Sequence, residues 1–216
     1  MDKKTVLEAL KKAKEDKKRK FSQSYDLIFN LKELDLKKPD QQVDFFATLP
    51  NAPKKKVKVC ALVGSEMAEE ARGAVDGVIT QEEFQRYGKD KKAARKLAQQ
   101  YDYFIAQANF MAQVASAFGR VFGPRGKMPN PKAGCVIAPK TPMKPLYEKL
   151  QKMVKVSAKK EPIIQCVVGH EGMTDDEVAE NVMAIYDQLI HHLPNEKNNV
   201  KSAYFKMTMS KPVRLE

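Results

Sequence analysis

The chain has 216 residues, of which 43% are hydrophobic, so it can build a packed core as one large domain or two small ones. Its net charge of +12, from 39 basic and 27 acidic residues, favours an anionic partner such as nucleic acid or an acidic membrane. The longest uncharged apolar stretch, residues 103–118, is interrupted by polar amides, so no membrane span is predicted. The charged start of the chain does not resemble a signal peptide.

The first twenty residues predict a lysine-rich helix. Thr5 and Glu8 have the spacing of a capping box, and the apolar stripe consists of Val6, Leu7, Leu10 and Ala13. The same segment holds nine cations, including Lys17 and Lys18. Because most such runs are solvated helix faces, no individual helix lysine is assigned a nucleic-acid contact.

Two strands follow this helix. Apolar and polar residues alternate over residues 25–32 and again over 43–48, which is the period of a half-buried strand. The connection through Pro39 and Asp40 is too long for a tight hairpin. Residues 49–56, with two prolines and a lysine triplet, indicate a domain boundary.

Beyond the boundary, apolar runs and helical patterns alternate. Strands are predicted at 57–64, 75–80, 103–106 and 134–137, and helices at 66–71, 91–100 and 145–154. This alternation predicts a small α/β segment with a parallel sheet. Past residue 156 the pattern changes again, with a strand at 163–168, a capping box at Thr174–Glu177 that opens a helix, and a strand at 200–209.

Three cysteines, Cys60, Cys135 and Cys166, each lie in an apolar run and are widely spaced. They suit neither a disulfide framework nor a metal half-site, so we interpret them as small buried hydrophobes in a reducing cytosol. The three histidines are not paired with a candidate nucleophile, and they do not have the spacing of metal ligands. We therefore predict no catalytic residue, no metal and no other cofactor.

The loop at Phe122–Pro131 combines two glycines, three prolines and two cations, which predicts a rigid basic loop. It lacks the GxxxxGK[ST] spacing of a P-loop, and Met128 stands where a metal-binding hydroxyl is required. The loop instead resembles the signature of the L-one family of large-subunit ribosomal proteins. Three more segments resemble family motifs in the same order, namely 19–24, 168–177 and 206–212.

The resemblance implies the fold class, α+β and α/β in two domains. Residues 1–56 and 157–216 would form a discontinuous α+β RNA-binding domain, and residues 57–156 an inserted Rossmann-like α/β domain joined through two hinge passages. The sequence pattern by itself only permits this arrangement.

The last predicted strand has one core face and one face of hydroxyls and a lysine. Ser202, Tyr204, Lys206 and Thr208 point one way. The pattern alone is typical of an ordinary solvent face, whereas the resemblance implies an RNA-contacting surface. Phe21 beside Lys20 suits stacking on a base while the cation meets phosphate. The RNA-binding residues implied by the resemblance are Lys20, Phe21, Gln165, Gly169, Ser202, Thr208, Met209 and Ser210.

Ser210 departs from the family, which usually has glycine there. Either the backbone avoids positive φ at this residue or local affinity for RNA is reduced. The hydroxyl could also supply a replacement contact, so the direction of the effect stays open.

The resemblance implies a structural protein of the large ribosomal subunit that binds stalk ribosomal RNA near the transfer RNA exit site. It also implies assistance in releasing deacylated transfer RNA and repression of translation of its own messenger RNA. The free chain is expected to be a cytoplasmic monomer without membrane contact. The alternative is a small α/β enzyme acting on a phosphorylated substrate, suggested by the parallel-sheet segment and the basic loop.

Overall fold

The computed structural model describes residues 2–15, 19–38, 41–53, 56–139 and 141–215. Lys17 and Lys18 of the predicted lysine-rich helix, the Pro39–Asp40 connection and Lys54–Lys55 of the predicted boundary lie outside the described residues. The chain divides into two compact units, one of Met1–Lys55 with Lys152–Glu216 and one of Lys56–Gln151.

Both units contain helices and strands. The first segment of the chain holds α1 (Lys3–Lys14), β1 (Ser24–Leu31) and β2 (Val43–Thr48). The inserted unit holds β3 (Val59–Val63), α2 (Ser65–Arg72), β4 (Gly77–Thr80), α3 (Gln81–Lys89), α4 (Lys91–Gln100), β5 (Tyr103–Gln107), α5 (Met111–Phe122), β6 (Val136–Ile137) and α6 (Met143–Gln151). The returning chain holds β7 (Met153–Ala158), β8 (Ile163–His170), α7 (Asp175–His192), β9 (Val200–Met207) and β10 (Val213–Arg214).

The first unit is built on a four-stranded antiparallel sheet in the order β10-β9-β1-β8. Strand β1 alternates between buried and half-buried residues along its whole length, as the period-two pattern predicted. Its inward residues, such as Leu27 and Phe29, pack against α1 and α7 in one core. The rings of Tyr25 and Phe205 stack at 5.4 Å across neighbouring strands. Helices α1 and α7 therefore cover one face of the sheet, and neither of them covers the other face.

A second pair, β2 with β7, completes this unit. Val43 lies opposite Ala158 and Thr48 opposite Met153 in an antiparallel register. The prediction that the helix extends over 145–154 is therefore wrong at its end, since α6 stops at Gln151. Residues 152–156 belong to the first unit rather than to the inserted domain. Their alternation is strand-like, with Val154 and Val156 buried, but helical spacing from Leu150 to Met153 concealed it.

The two predicted capping boxes have different outcomes. Thr174 and Glu177 form the capping box of α7, which is confirmed. The box at Thr5 and Glu8 is wrong because α1 begins at Lys3, which places Thr5 inside the helix and makes Asp2 the capping position.

The inserted unit has a fully parallel sheet in the order β4-β3-β5-β6, which confirms the α/β prediction. Helices α3 and α5 were not predicted. Helix α5 follows β5 after only a three-residue helical turn, so the two elements appeared in the sequence as one apolar run. Within the described ranges, no helix has the length and apolarity needed to cross a membrane.

The cysteines are buried, as predicted. Burial raises the pKa of the Cys60 and Cys166 thiols to about 12 and that of Cys135 to about 11. These thiols are therefore uncharged at neutral pH and act as small apolar side chains.

Candidate nucleic-acid interface

The sheet of the first unit has an open polar face opposite its core. Ile28 on the central strand lies between Gln165 of β8 and Tyr204 of β9. One step along, Asp26 lies opposite Lys206, and both line a shallow depression with Gln165. Burial raises the pKa of Asp26 above its ordinary value of 3.8, and the Lys206 charge opposes that shift.

Strand β1 begins where β8 and β9 end, so three distant segments of the chain meet at one end of the sheet. We call the segments 20–24, 169–172 and 208–210 the sheet-end surface. Thr208 Oγ1 accepts a hydrogen bond from Ser24 N at 3.1 Å, and Thr208 N donates to Ser24 O at the same distance. The β9 end is thereby fixed to the start of β1.

Gln23 joins all three segments. The residue is only 4% exposed. Gln23 Oε1 accepts from Met209 N at 3.1 Å, and Gln23 Nε2 donates to Glu171 Oε1 at 3.2 Å. The backbone N–H of Gln23 donates to Glu171 Oε2 at 3.0 Å, and Glu171 N donates back to Gln23 O. This closed set of bonds holds the surface in one shape.

Two large hydrophobic side chains stand out on this surface. Phe21 is 52% exposed and Met209 is 55% exposed. Among the described residues the third exposed large hydrophobic is Ile163, at 37%, which lies at the far end of β8. An exposed aromatic next to Lys20 in the chain, together with an exposed methionine in a neighbouring segment, is typical of a contact surface rather than of a core.

The structure places six of the eight predicted site residues in the segments of the sheet-end surface. These residues are Lys20, Phe21, Gly169, Thr208, Met209 and Ser210. Gln165 is exposed on the open face of the same sheet. Ser202 is only 7% exposed, and its Oγ accepts from Asn30 Nδ2 at 2.9 Å near the opposite end of β9.

Gly169 has a packing role. A Cβ at this position would lie 3.0 Å from Val178 Cγ2, 3.2 Å from Met173 Sδ and 3.4 Å from Tyr25 Cδ2, all on the core side. Its missing side chain therefore makes room for the core and not for a ligand on the open face.

Ser210 adopts a backbone conformation that suits a side chain. The described non-glycine residues with positive φ are Glu33 and Glu196, so Ser210 avoids that region. Its Oγ accepts from Met207 N at 2.8 Å. Of the alternatives left open by the sequence, the structure therefore supports the one in which the backbone avoids positive φ.

Gln23 and Glu171 were not predicted as site residues. Both lie inside segments that resemble family motifs, which was the only signal available. Their importance depends on burial and pairing across the fold, which local sequence does not show.

The basic loop of the inserted unit uses its cations internally. Lys127 Nζ donates to Ala98 O at 2.8 Å and to Tyr101 O at 2.7 Å, and Arg125 Nη1 donates to Arg95 O at 3.1 Å. Gly126 supplies a φ of 64°, which a side chain would disfavour. The loop is thus fastened to the end of α4 and does not form a phosphate cradle, which removes the main support for the enzyme alternative.

Comparison with known proteins agrees with the sequence resemblance. The chain matches the ribosomal protein L1p/L10e family over residues 10–211. It is 42% identical over 212 residues to the large ribosomal subunit protein uL1 of Methanobrevibacter smithii, covering 97% of this chain and 98% of the relative. It is 40% identical over 217 residues to that of Methanothermococcus thermolithotrophicus, covering both chains fully. For Pyrococcus horikoshii the identity is 38% over 218 residues, covering 100% of this chain and 97% of the relative.

These matches define the chain as a structural ribosomal protein and not an enzyme. It belongs to the ribosomal protein L1p/L10e family. The predicted family and fold class are confirmed.

Proposed function

We propose that the chain binds stalk ribosomal RNA of the large ribosomal subunit through its sheet-end surface and the adjoining open face. One observation carries the proposal. Segments from the beginning, middle and end of the chain converge through Gln23, and they present Met209 and Phe21, the sequence neighbour of Lys20, to solvent.

The mechanism is recognition of RNA shape and not chemistry. Phe21 offers an aromatic face on which an unstacked base or a ribose can lie, and Lys20 offers a charge to the neighbouring phosphate. Thr208 supplies a hydroxyl at a fixed position beside Ser24, where it can meet a ribose 2′-hydroxyl. Because the surface is held by internal hydrogen bonds, little conformational entropy is lost on binding.

The proposal includes three finer roles taken from the family resemblance. The chain lies near the transfer RNA exit site, assists release of deacylated transfer RNA, and represses translation of its own messenger RNA. A messenger segment that folds like the stalk RNA would compete for the same surface, which accounts for repression without a second site. The free chain is a monomer and acts on ribosomes in the cytoplasm.

Binding of the full chain to a stalk RNA fragment and to a scrambled RNA of equal length tests the main proposal. Both affinities should fall steeply with salt, since each contacted phosphate releases counterions. At moderate salt a clear preference for the stalk fragment should remain. Equal affinity for the two RNAs at every salt concentration would refute the proposal.

The repression role has a separate test. Added chain should lower cell-free translation from its own messenger leader, and added stalk RNA should restore it. Repression that stalk RNA does not relieve would show that a different surface is responsible.

A further inference from the structure

Helix α4 of the inserted unit carries a row of exposed cations. We call Lys91, Lys92, Arg95 and Lys96 the α4 basic face, and all four are exposed. The opposite side of the helix is buried through Ala94, Leu97 and Ala98. Within the row, Lys91 and Arg95 are four residues apart, as are Lys92 and Lys96, so their Cβ atoms are neighbours at roughly 5–6 Å. The four charges therefore form one compact patch.

The patch extends beyond the helix, and its cations form no ion pair among the described residues. Arg125 lies against it, since its guanidinium donates to Arg95 O at 3.1 Å. The ion pairs found within the described ranges leave all five of these cations without a carboxylate partner. Asp90 uses its carboxylate to cap α4, accepting from Lys92 N and Ala93 N. The sequence has no acidic residue between Asp102 and Glu148.

This arrangement is unfavourable for an isolated helix. Lys91 and Lys92 stand at the helix N-terminus, where the helix dipole favours acids, and α4 has none in its first turn. Like charges four residues apart also repel. Helix α7 shows the stabilising arrangement, with Asp175, Asp176 and Glu177 in its first turn. An anionic partner on α4 would offset this repulsion.

The chemistry of the patch selects among anionic partners. The exposed large hydrophobic residues of the described chain, Phe21, Ile163 and Met209, all lie in the other unit. Among the described residues of the inserted unit, none therefore offers the α4 basic face a fully exposed aromatic side chain for base stacking or a fully exposed apolar anchor for a lipid surface. Closely spaced cations alone are suited to a regular line of phosphates.

We propose that the α4 basic face binds the phosphate backbone of double-stranded RNA without reading its bases. This surface lies wholly within the inserted unit and is additional to the sheet-end surface. It gives the inserted unit an RNA-binding capacity of its own, whereas the sheet-end surface supplies the preference for one folded RNA.

The test compares two variants of the full chain that lose the same charge. One variant replaces the face by glutamine, with Lys91→Gln, Lys92→Gln, Arg95→Gln and Lys96→Gln. The matched control neutralises four other exposed cations of the same unit, with Arg72→Gln, Lys132→Gln, Lys144→Gln and Lys149→Gln. Fluorescence anisotropy with a short random-sequence RNA duplex measures affinity over a range of salt concentrations.

The face variant should bind the duplex roughly ten to a hundred times more weakly at low salt, and its salt slope should fall by about 2 to 4. The control should lose less than about threefold. Equal losses in the two variants would show that only net charge matters and would overturn the proposal. The same anisotropy measurement with labelled polyglutamate tests an acidic protein as the partner. If the face variant loses polyglutamate binding while its duplex affinity is unchanged, the proposal is overturned in favour of that partner.

Two further measurements keep the outcome interpretable. Glutamine is a good helix former and relieves the repulsion, so the Tm of the face variant should not fall. If it does fall, the pair Lys91→Gln with Arg95→Gln tests the same surface with fewer changes. Preference for stalk over scrambled RNA should survive in the face variant, which separates failure of this proposal from failure of the sheet-end proposal.

Discussion

Gln23 accepts a hydrogen bond from the backbone N–H of Met209 at 3.1 Å, which joins residues near opposite ends of the chain. The same side chain donates to Glu171, from the middle of the chain. One buried amide thereby sets the relative positions of three segments that local sequence leaves independent.

Replacing this amide should affect both stability and binding. Gln23→Ala leaves Met209 N and Glu171 Oε1 without their side-chain partner, while the backbone bond to Glu171 Oε2 remains, so we expect the free energy of unfolding to fall by about 1–3 kcal/mol. Specific RNA affinity should fall as well, because the Met209 turn loses its position. Gln188→Ala removes an amide that donates to Thr48 O in the same unit and serves as the control for urea unfolding and RNA binding. Unchanged RNA affinity in Gln23→Ala would contradict the positioning role.

Phe21 should matter to RNA binding and not to folding. Because the ring is half exposed, Phe21→Ala should change unfolding free energy by less than about 0.5 kcal/mol. Loss of a stacking surface should cost about 1–3 kcal/mol of affinity for the stalk RNA. Ile163→Ala, an exposed residue at the other end of the sheet, is the matched control. Similar affinity losses in the two variants would indicate a general rather than a local effect.

Thr208 offers a test of the hydroxyl itself. Thr208→Ala should weaken binding to the stalk RNA by about 1–3 kcal/mol while leaving scrambled RNA unaffected. Thr208→Ser keeps the bonds to Ser24 and should retain most of the affinity. Anisotropy titrations with both RNAs measure the difference, and an equal loss on both would count against the sheet-end surface.

Ser210→Gly restores the residue usual in the family, yet we expect it to be unfavourable here. It removes the hydrogen bond from Met207 N and adds backbone freedom to the unfolded chain. Stability should fall by about 1 kcal/mol in urea unfolding. Binding to the stalk RNA should not improve. A tighter complex with glycine would show instead that the Cβ of Ser210 obstructs the RNA.

Asp76 should make the inserted unit sensitive to acid. Burial alone would raise its pKa, but hydrogen bonds from Lys56, Val59 N and Tyr147 outweigh burial and hold the pKa below its ordinary value of 3.8. The unfolded state therefore binds the proton first as pH falls. The stabilising contribution of the carboxylate is complete above pH 3.8 and is lost as pH falls through the folded-state pKa.

Asp76→Asn removes this dependence. The variant should be less stable than the parent chain at pH 7, by about 1 kcal/mol after solvent screening. The difference should shrink below pH 3.8. Urea midpoints measured from pH 2 to pH 7 follow it, and a difference that stays constant with pH would show that the carboxylate charge is not involved.

Local pattern predicted the elements whose burial has a simple period. The alternation in β1 and β9 identified their core faces, and α4 was predicted with its observed bounds because its buried side is clear. Strand β7 escaped prediction because it is defined by pairing with β2, which is distant in sequence. The burial of Gln23 has the same origin, since its partners Glu171 and Met209 are also distant. The φ of Ser210 follows from the turn geometry, which no residue pattern encoded.

The strand order has a consequence for the timing of synthesis. The central strand β1 is complete at Leu31, but its neighbours begin only at Ile163 and Val200. During most of translation, Lys20 and Phe21 have therefore been synthesised, but β8 and β9, which complete the sheet around β1, have not. If the sheet-end surface binds RNA as proposed, a nascent chain can bind its target only after β9 has emerged, and repression of the messenger then requires chains synthesised at least to Met207.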